Sequence, residues 1–185
     1  ILSTTVFESR GFIFKFDRIG SILFSFDISS LDWFCFALSV NDSVTTLTST
    51  KLVYEKNNEK IIAVGNVVVS DTASIIKADS LIHDRNTRFS EGFNNIEIRS
   101  EDNKLTIFGK YLVDDKENKV SRVTGNSFLT QIEELDNGEF DTLFIKSALL
   151  ESRKDSGALY AMDSVKIIRG GFSSINDFTI YNRDS

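Results

Sequence analysis

The residues of this chain that could take part in catalysis are few, and their spacing does not form a catalytic site. The one histidine, His83, is followed by Asp84 and Arg85. A His-Asp pair of the triad type needs a serine or cysteine nucleophile, and no serine or cysteine stands in a recognised nucleophile motif. His83 is therefore predicted to be a solvated turn residue at the end of a strand, and we expect no enzymatic activity.

Cysteine and carboxylate residues do not indicate a metal site either. Cys35 is the only cysteine, which excludes an internal disulfide, and with a single histidine a Cys/His zinc site cannot form. Asp114-Asp115 and Asp136-Asn137-Gly138 are turn sequences that need no calcium to explain them. We expect no metal and no cofactor.

Composition predicts an all-β domain that does not bind nucleic acid. The 185 residues carry a formal net charge of -6, and Lys and Arg are scattered rather than clustered, so the chain lacks a basic stripe for a phosphate backbone. Valine, isoleucine, phenylalanine and threonine dominate the stretches between polar turns. The chain has no proline, so every strand can form a full ladder of backbone hydrogen bonds.

Residues 51–71, KLVYEKNNEKIIAVGNVVVSD, hold one complete structural unit. Apolar and polar residues alternate in KLVYE, EKNNEK reads as a charged turn, and IIAV and VVV flank Gly65-Asn66. This period of two is typical of strands, and no helical period fits the segment. The unit is predicted to be strand, turn, strand, Gly-Asn, strand.

The same unit recurs in degraded form along the rest of the chain. Each copy holds a pattern such as IIKADSLI, IFGKYLV or FIKSALL, then a charged turn and a strand that ends at Gly65, Gly92, Gly125 or Met162. A strand that bends from one sheet into another needs a bulge or a residue that tolerates unusual φ, so Gly65-Asn66 and Gly125-Asn126 are predicted corners, and Gly92 is expected near a strand end or bulge. Tight two-residue hairpins are the alternative.

Residues 1–39 differ from the rest in being rich in phenylalanine. A basic start, an apolar run and then Ala37-Leu38-Ser39 match an export leader or a membrane anchor. Asp27 and Asp32 oppose a spanning helix, because each is costly in the bilayer. The alternative is that FIFKF, ILFSFDI and WFCFALSV are three further strands. The predicted division is an N-terminal leader, anchor or additional strands at 1–39 and one β domain at 40–185.

The motifs KLVYE, VGNVVV, IKADSL and VTGNSFL resemble the OstA-like (LptA-like) family over about residues 45–182. Members of that family include the periplasmic bridge protein of lipopolysaccharide transport, its inner-membrane-anchored partner and the N-terminal domain of the outer-membrane translocon. All three share the repeat, so the motifs do not choose among them. Met162 departs from the pattern, since the other copies have glycine there.

The resemblance implies a repeat-built antiparallel β-jellyroll, solenoid-like, with two sheets in a V or taco shape. It also implies a periplasmic protein that carries lipopolysaccharide or a related glycolipid in a hydrophobic groove. The implied partners are inner-membrane and outer-membrane transport components and further copies of the chain, joined head to tail by strand pairing. An anchor at residues 1–39 would add membrane association.

Strand alternation supplies the apolar strip that several acyl chains would need, since each buried methylene contributes about 0.8 kcal/mol. The opposite face carries charged residues such as Lys77, Glu97, Arg99, Lys146 and Lys166. The predicted groove residues share one face: Leu47, Leu52, Tyr54, Val67, Val69, Ile76, Leu81, Ile96, Ile98, Leu129, Leu143, Ile145, Val165 and Ile167.

Two alternatives to a lipid conduit stay open. The same apolar residues would also form the closed core of a β sandwich, which favours a structural or adhesive β-solenoid scaffold that polymerises through its end strands. A polysaccharide-active β-helix enzyme is disfavoured, because acidic residues do not cluster outside turns. The shape of the interior discriminates between conduit and scaffold.

Overall fold

The computed structural model describes residues 5–6, 22–24, 34–40, 43–135 and 137–182, with side chains from Thr45 onward. Within these ranges the chain forms strands and no helix. The strands are β1 (Thr5–Val6), β2 (Ile22–Phe24), β3 (Phe34–Val40), β4 (Ser43–Ser49), β5 (Lys51–Glu55), β6 (Lys60–Ser70), β7 (Ser74–Asp84), β8 (Phe89–Ser100), β9 (Leu105–Asp115), β10 (Val120–Glu134), β11 (Phe140–Arg153), β12 (Ala158–Arg169) and β13 (Phe172–Asn182).

The strands form one antiparallel sheet in which β6 to β13 follow each other in chain order. On the other side of β6, β5 pairs with its first part and β4 with its last part. Together β4 and β5 act as one long strand interrupted at Thr50, whose backbone N–H donates to the Gly65 carbonyl at 2.8 Å. In the described ranges β13 pairs only with β12, so the sheet is not closed.

A row of bulges crosses the long strands and marks where each one bends. In each of β6, β8, β10 and β12, two adjacent residues both have positive φ: Gly65-Asn66, Asn94-Asn95, Gly125-Asn126 and Asp163-Ser164. Each pair coincides with a register shift against the neighbouring strands. Glycine, asparagine and aspartate tolerate this left-handed conformation better than other residues do. The bulged pairs are therefore the corners of the repeat.

The corners predicted at Gly65-Asn66 and Gly125-Asn126 are confirmed, and the other two corners lie close to Gly92 and Met162 but not at them. In β8 the corner is Asn94-Asn95, and Gly92 is an interior residue whose added Cβ would stand 3.3 Å from Leu112 Cβ. In β12 the corner follows Met162. The strands also continue through these points as paired ladders instead of ending there.

Four hairpin turns of equal length close one end of the sheet. Each turn has four residues between paired strand ends, and its last residue has positive φ: Glu59, Arg88, Lys119 and Gly157. The charged turns therefore repeat with the same geometry, although only one of them ends in glycine.

The bulges divide the sheet into two halves. The turn half, which contains the four-residue turns, comprises residues 51–64, 80–93, 111–124, 149–162 and 178–182, and the far half comprises 43–49, 67–78, 96–109, 127–135, 137–147 and 165–176. One core cluster contains Leu112 and Leu150 from the turn half together with Leu129 and Leu143 from the far half. The inner sides of the two halves therefore pack against each other.

These features confirm the predicted all-β antiparallel β-jellyroll. The two predicted sheets are the two halves of one continuous sheet, folded along the row of bulges. Small residues line this fold on the inner side, and Ser127 and Ser147 are buried there. The Ser127 hydroxyl donates to the Ser147 carbonyl at 2.8 Å, and the Ser147 hydroxyl donates to the Leu149 carbonyl at 2.9 Å. The serines thus satisfy carbonyl groups beside the bulges.

The predicted N-terminal segment is described only in part. β1 and β2 lie within it, and β3 crosses the predicted boundary between residues 39 and 40. The segment FIFKF lies outside the described residues, so the choice among leader, anchor and strands, and the boundary itself, stay predictions. Among the residues that are described, no helix is long and apolar enough to cross a membrane.

Candidate functional site

The interior between the two halves holds every residue of the predicted groove. One cluster, around β4 to β7, contains Leu47, Leu52, Tyr54, Val67, Val69 and Leu81. The other, around β7 to β12, contains Ile76, Ile96, Ile98, Leu129, Leu143, Ile145, Val165 and Ile167. Because Val69 of the first cluster pairs with Ile76 of the second, the apolar inner side of the far half runs without a break from β4 to β12.

The predicted residues differ in how much of their surface the protein itself covers. Most of them are buried by neighbouring strands alone: Leu47, Val67, Leu81, Ile96, Leu129, Leu143, Ile145 and Val165. The others are only partly buried: Leu52, Tyr54, Val69, Ile76, Ile98 and Ile167. The first set forms the packed base of the interior, and the second set offers apolar surface to a ligand. That these residues bind lipid stays a prediction.

The strand register assigns neighbouring residues to opposite sides. Val69, Ile76 and Ile98 lie across from one another in β6, β7 and β8, and all three belong to the apolar interior. At the next pair of the ladder, Lys77 of β7 lies opposite Glu97 of β8, and their charged groups are 3.3 Å apart. Since successive side chains in a strand take opposite faces, Glu97 lies outside and Ile98 inside.

Several buried interior residues were not among the predicted groove residues. The buried ones are Ile61, Ala63, Ala78, Ile107, Leu112, Val123, Leu150 and Ala161. Ile61 and Ala63 are odd-numbered residues of β6, as are the predicted residues Val67 and Val69, so the alternation of side chains along β6 could have predicted them. Leu112 and Leu150 lie beyond a bulge in their strands, where the parity of the inner face changes.

A polar row interrupts the apolar inner side of the turn half. His83, Ser90, Asp114 and Ser121 lie across from one another in consecutive strands. The His83 Nδ1 atom is 2.9 Å from the Ser90 hydroxyl, and the Ser121 hydroxyl donates to Asp114 Oδ1 at 2.6 Å. The prediction that His83 is a solvated turn residue is wrong, because its ring is half-buried within β7. Burial lowers the pKa of His83, and the positive charges of Lys116 and Arg85 lower it further.

Open space remains between the two halves near β13. A cavity of about 480 Å³ is lined on one side by far-half residues, Leu105, Ile107, Leu129 and Gln131, and on the other by turn-half residues, Ser152, Arg153, Lys154, Gly157, Leu159 and Tyr181. Its volume lies in the range of pockets that hold small organic ligands. The lining combines apolar residues of both halves with the polar side chains of Gln131, Ser152 and Tyr181.

A hydrogen-bonded network lies beside this cavity and includes two of its lining residues, Tyr181 and Gln131. The Tyr181 hydroxyl donates to Glu133 Oε1 at 2.9 Å, and Arg169 donates to Glu133 Oε2 at 2.5 Å and to Asp141 Oδ2 at 2.6 Å. Gln131 Nε2 also donates to Glu133 Oε1, at 3.1 Å. Burial and the Glu133 carboxylate raise the pKa of the Tyr181 phenol. Arg169 holds the pKa of Asp141 below its ordinary value.

The outer side of the sheet is charged and aromatic. Phe108, Phe128 and Phe144 stack there in sequence, with ring centroids 6.5 Å and 5.9 Å apart. The Glu151 carboxylate is buried under Arg122 and Arg153, whose Nε atoms donate to it at 2.7 Å and 2.6 Å. Burial raises the pKa of Glu151, but the two arginines outweigh this effect and hold the pKa below its ordinary value. These contacts stabilise the outer face.

Comparison with known proteins identifies a similar fold. No family model and no curated protein matches the chain. Among solved structures, the chain is similar to the crystal structure of LptH, the LptA homologous periplasmic component of the conserved lipopolysaccharide transport device from Pseudomonas aeruginosa. The TM-score is 0.52 at 14% sequence identity, over 59% of this chain and 75% of LptH. At this identity the similarity shows that the two chains share the LptA-like β-jellyroll fold.

Proposed function

We propose that this chain is a periplasmic lipid-binding bridge protein that moves lipopolysaccharide from the inner to the outer membrane through its apolar interior. The observation that carries the proposal is the apolar inner side of the far half, which is unbroken from β4 to β12 and borders a cavity of about 480 Å³ between the halves. The shared fold with a component of a lipopolysaccharide transport device supports the same cargo. The protein acts as a carrier and catalyses no reaction.

The energetics of an acyl chain suit this interior. Each methylene that leaves water contributes about 0.8 kcal/mol, so a lipid with several chains gains most from a long, continuous apolar strip. Val69, Ile76, Ile98 and Ile167 keep part of their apolar surface uncovered along such a strip. Binding would cover this surface without the protein having to unfold its packed base.

The proposed partners are inner-membrane and outer-membrane transport components and further copies of this chain. β13 pairs on one side only within the described ranges, so its other side can accept a strand. Ile175 and Phe178 on this strand are exposed at 79% and 51%. Head-to-tail strand addition would cover both side chains and extend the apolar interior from one copy to the next.

A closed structural scaffold is the second candidate function. The observation that favours it is the burial of Ile96, Leu129, Ile145 and Val165, each exposed at 1% or less without any ligand. In a scaffold the partly buried inner residues would contact only other strands of an assembled fibre. Lipid binding therefore separates the two candidates.

A retention experiment tests the carrier function. The purified chain is incubated with lipopolysaccharide and recovered, and the retained lipid is measured for Ile167→Asn and for Lys166→Asn, the adjacent outward position in β12. Removing the inner apolar contact should weaken retention about tenfold, whereas the outer change should leave it intact. Ile167→Ala serves where the asparagine variant unfolds. Equal retention by both variants, or none by the unaltered protein, contradicts the carrier function.

A further inference from the structure

The cavity near β13 ends at a contact that joins the two halves of the sheet directly. Tyr181 lies in the turn half and Glu133 in the far half, and 48 residues separate them in sequence. Their 2.9 Å hydrogen bond spans the opening between the halves. Tyr181 also lines the cavity, as does Gln131, which donates to the same Glu133 oxygen. The bond therefore ties the two halves together at the edge of the cavity.

We propose that Tyr181 and Glu133 form a latch that ties the two halves together beside the cavity and opens when an apolar chain enters between them. The inference rests on the proposed function for the nature of the occupant, an acyl chain. A hydrogen bond of this length leaves no gap between the two side chains, so a methylene chain can pass between Tyr181 and Glu133 only after these side chains separate.

The network around Glu133 makes opening reversible. When Tyr181 moves away, the Glu133 carboxylate keeps its ion pair with Arg169 and its bond from Gln131. Arg169 is held in turn by Asp141. No buried charge loses its partner, so opening breaks one hydrogen bond to a charged group and leaves the tyrosine hydroxyl free to bond with water. The closed state is favoured only moderately, as a gate requires.

The position of Tyr181 links the latch to the edge of the sheet. β13 pairs with β12 alone among the described strands, so fewer contacts restrain it than restrain a central strand. Movement of β13 would carry Tyr181 away from Glu133 and from the edge of the core cluster, against which Tyr181 packs as a partly buried residue, while Leu129 and Leu150 stay buried by other strands. The latch thus lies where the sheet can open locally.

The test measures how fast a small apolar probe enters the protein. Stopped-flow fluorescence follows the binding of N-phenyl-1-naphthylamine to the unaltered chain, to Tyr181→Phe and to Glu133→Gln. Tyr181→Phe keeps the ring and removes the hydroxyl, so association should become about tenfold faster, as expected for loss of one charge-assisted hydrogen bond. Glu133→Gln still accepts a bond from Tyr181, so its acceleration should be smaller.

Tyr160→Phe is the matched control, because Tyr160 lies on the outer side against Phe178, with ring centroids 6.2 Å apart. Its association rate should equal that of the unaltered chain. The latch is overturned by unchanged rates in Tyr181→Phe, by equal acceleration in Tyr160→Phe, or by absence of probe binding to every variant. Because the probe is not lipopolysaccharide, faster entry combined with failed lipopolysaccharide retention would overturn the proposed cargo and leave the latch standing.

Discussion

Gly125 of β10 lies directly against Lys110 of β9, so that a Cβ on Gly125 would stand 2.6 Å from Lys110 Cβ. Gly125 also has φ of 86°, in the left-handed region. Close approach of two strands and an unusual backbone conformation therefore coincide at this corner. The bend between the two halves depends on both.

Replacing Gly125 by alanine should destabilise the protein by about 2–4 kcal/mol, because left-handed strain adds to a contact that forces the neighbouring strand to move. Gly138→Ala is the control, since Gly138 has φ of 80° but nothing within 4 Å of an added Cβ. It should cost about 1–2 kcal/mol from strain alone. Urea unfolding measures both. Equal losses would show that close approach at the corner is unimportant.

The single histidine should make stability fall in mildly acidic solution. Burial lowers the pKa of His83 from 6.5, so the folded state favours the neutral ring. The resulting stability is fully present above pH 6.5 and is lost as the pH falls through the lowered value. His83→Gln keeps a hydrogen-bonding group beside Ser90 and should remove the loss between about pH 6.5 and pH 5.

Urea unfolding at a series of pH values measures this effect. The carboxylates with lowered pKa values, Asp84, Asp115, Asp141 and Glu151, titrate below that window and should not contribute to it. An identical pH dependence in the unaltered chain and in His83→Gln would contradict the assignment.

The buried outer-face carboxylate should matter more for stability than an exposed one. Glu151→Gln removes the charge that Arg122 and Arg153 contact, and should cost about 1–2 kcal/mol, since both arginines are half exposed and can turn to water. Asp155→Asn breaks the exposed pair with Lys119 and should cost less than about 0.5 kcal/mol. Thermal unfolding compares the two, and a larger loss for Asp155→Asn would count against the burial argument.

Self-association should depend on the outer edge strand. The chain should form concentration-dependent oligomers, and Ile175→Lys in β13 should weaken them, because a charge on an edge strand opposes strand addition. Phe108→Lys is the control on a central strand, where the exposed ring lies away from the edge. Sedimentation velocity measures the oligomers. A strictly monomeric unaltered chain at high concentration would refute head-to-tail assembly.

Alternation predicted the inner face well because a strand gives each side chain only two directions. Val67, Val69, Ile96 and Ile98 lie inside as their sequence parity requires. The corners were harder, since Asn94-Asn95 and Asp163-Ser164 take the left-handed conformation without a glycine to mark them. Gly92 lies two residues before a corner and does not form it, because its small size serves packing against Leu112.

Contacts between the two halves could not be predicted from the chain. Tyr181 and Glu133 meet only because the sheet folds along its bulges, and no local pattern specifies which strand ends then face each other. The inward position of His83 was hidden for a related reason. A bulge between Ala78 and Leu81 changes the parity of the inner face within β7, and the sequence carries no glycine there.

Photo-crosslinking in cells that make lipopolysaccharide tests the carrier function most directly. A photoreactive amino acid is placed at Val69 or Ile98, which lie inside, and at Val68 or Glu97, their outward neighbours. The bulge at Asn94-Asn95 precedes Ile96, so it leaves the inward position of Ile98 unchanged. Val69 and Ile98 should capture lipopolysaccharide, and Val68 and Glu97 should not. Equal capture at all four positions, or capture at none, would contradict a lipid conduit and favour the closed scaffold.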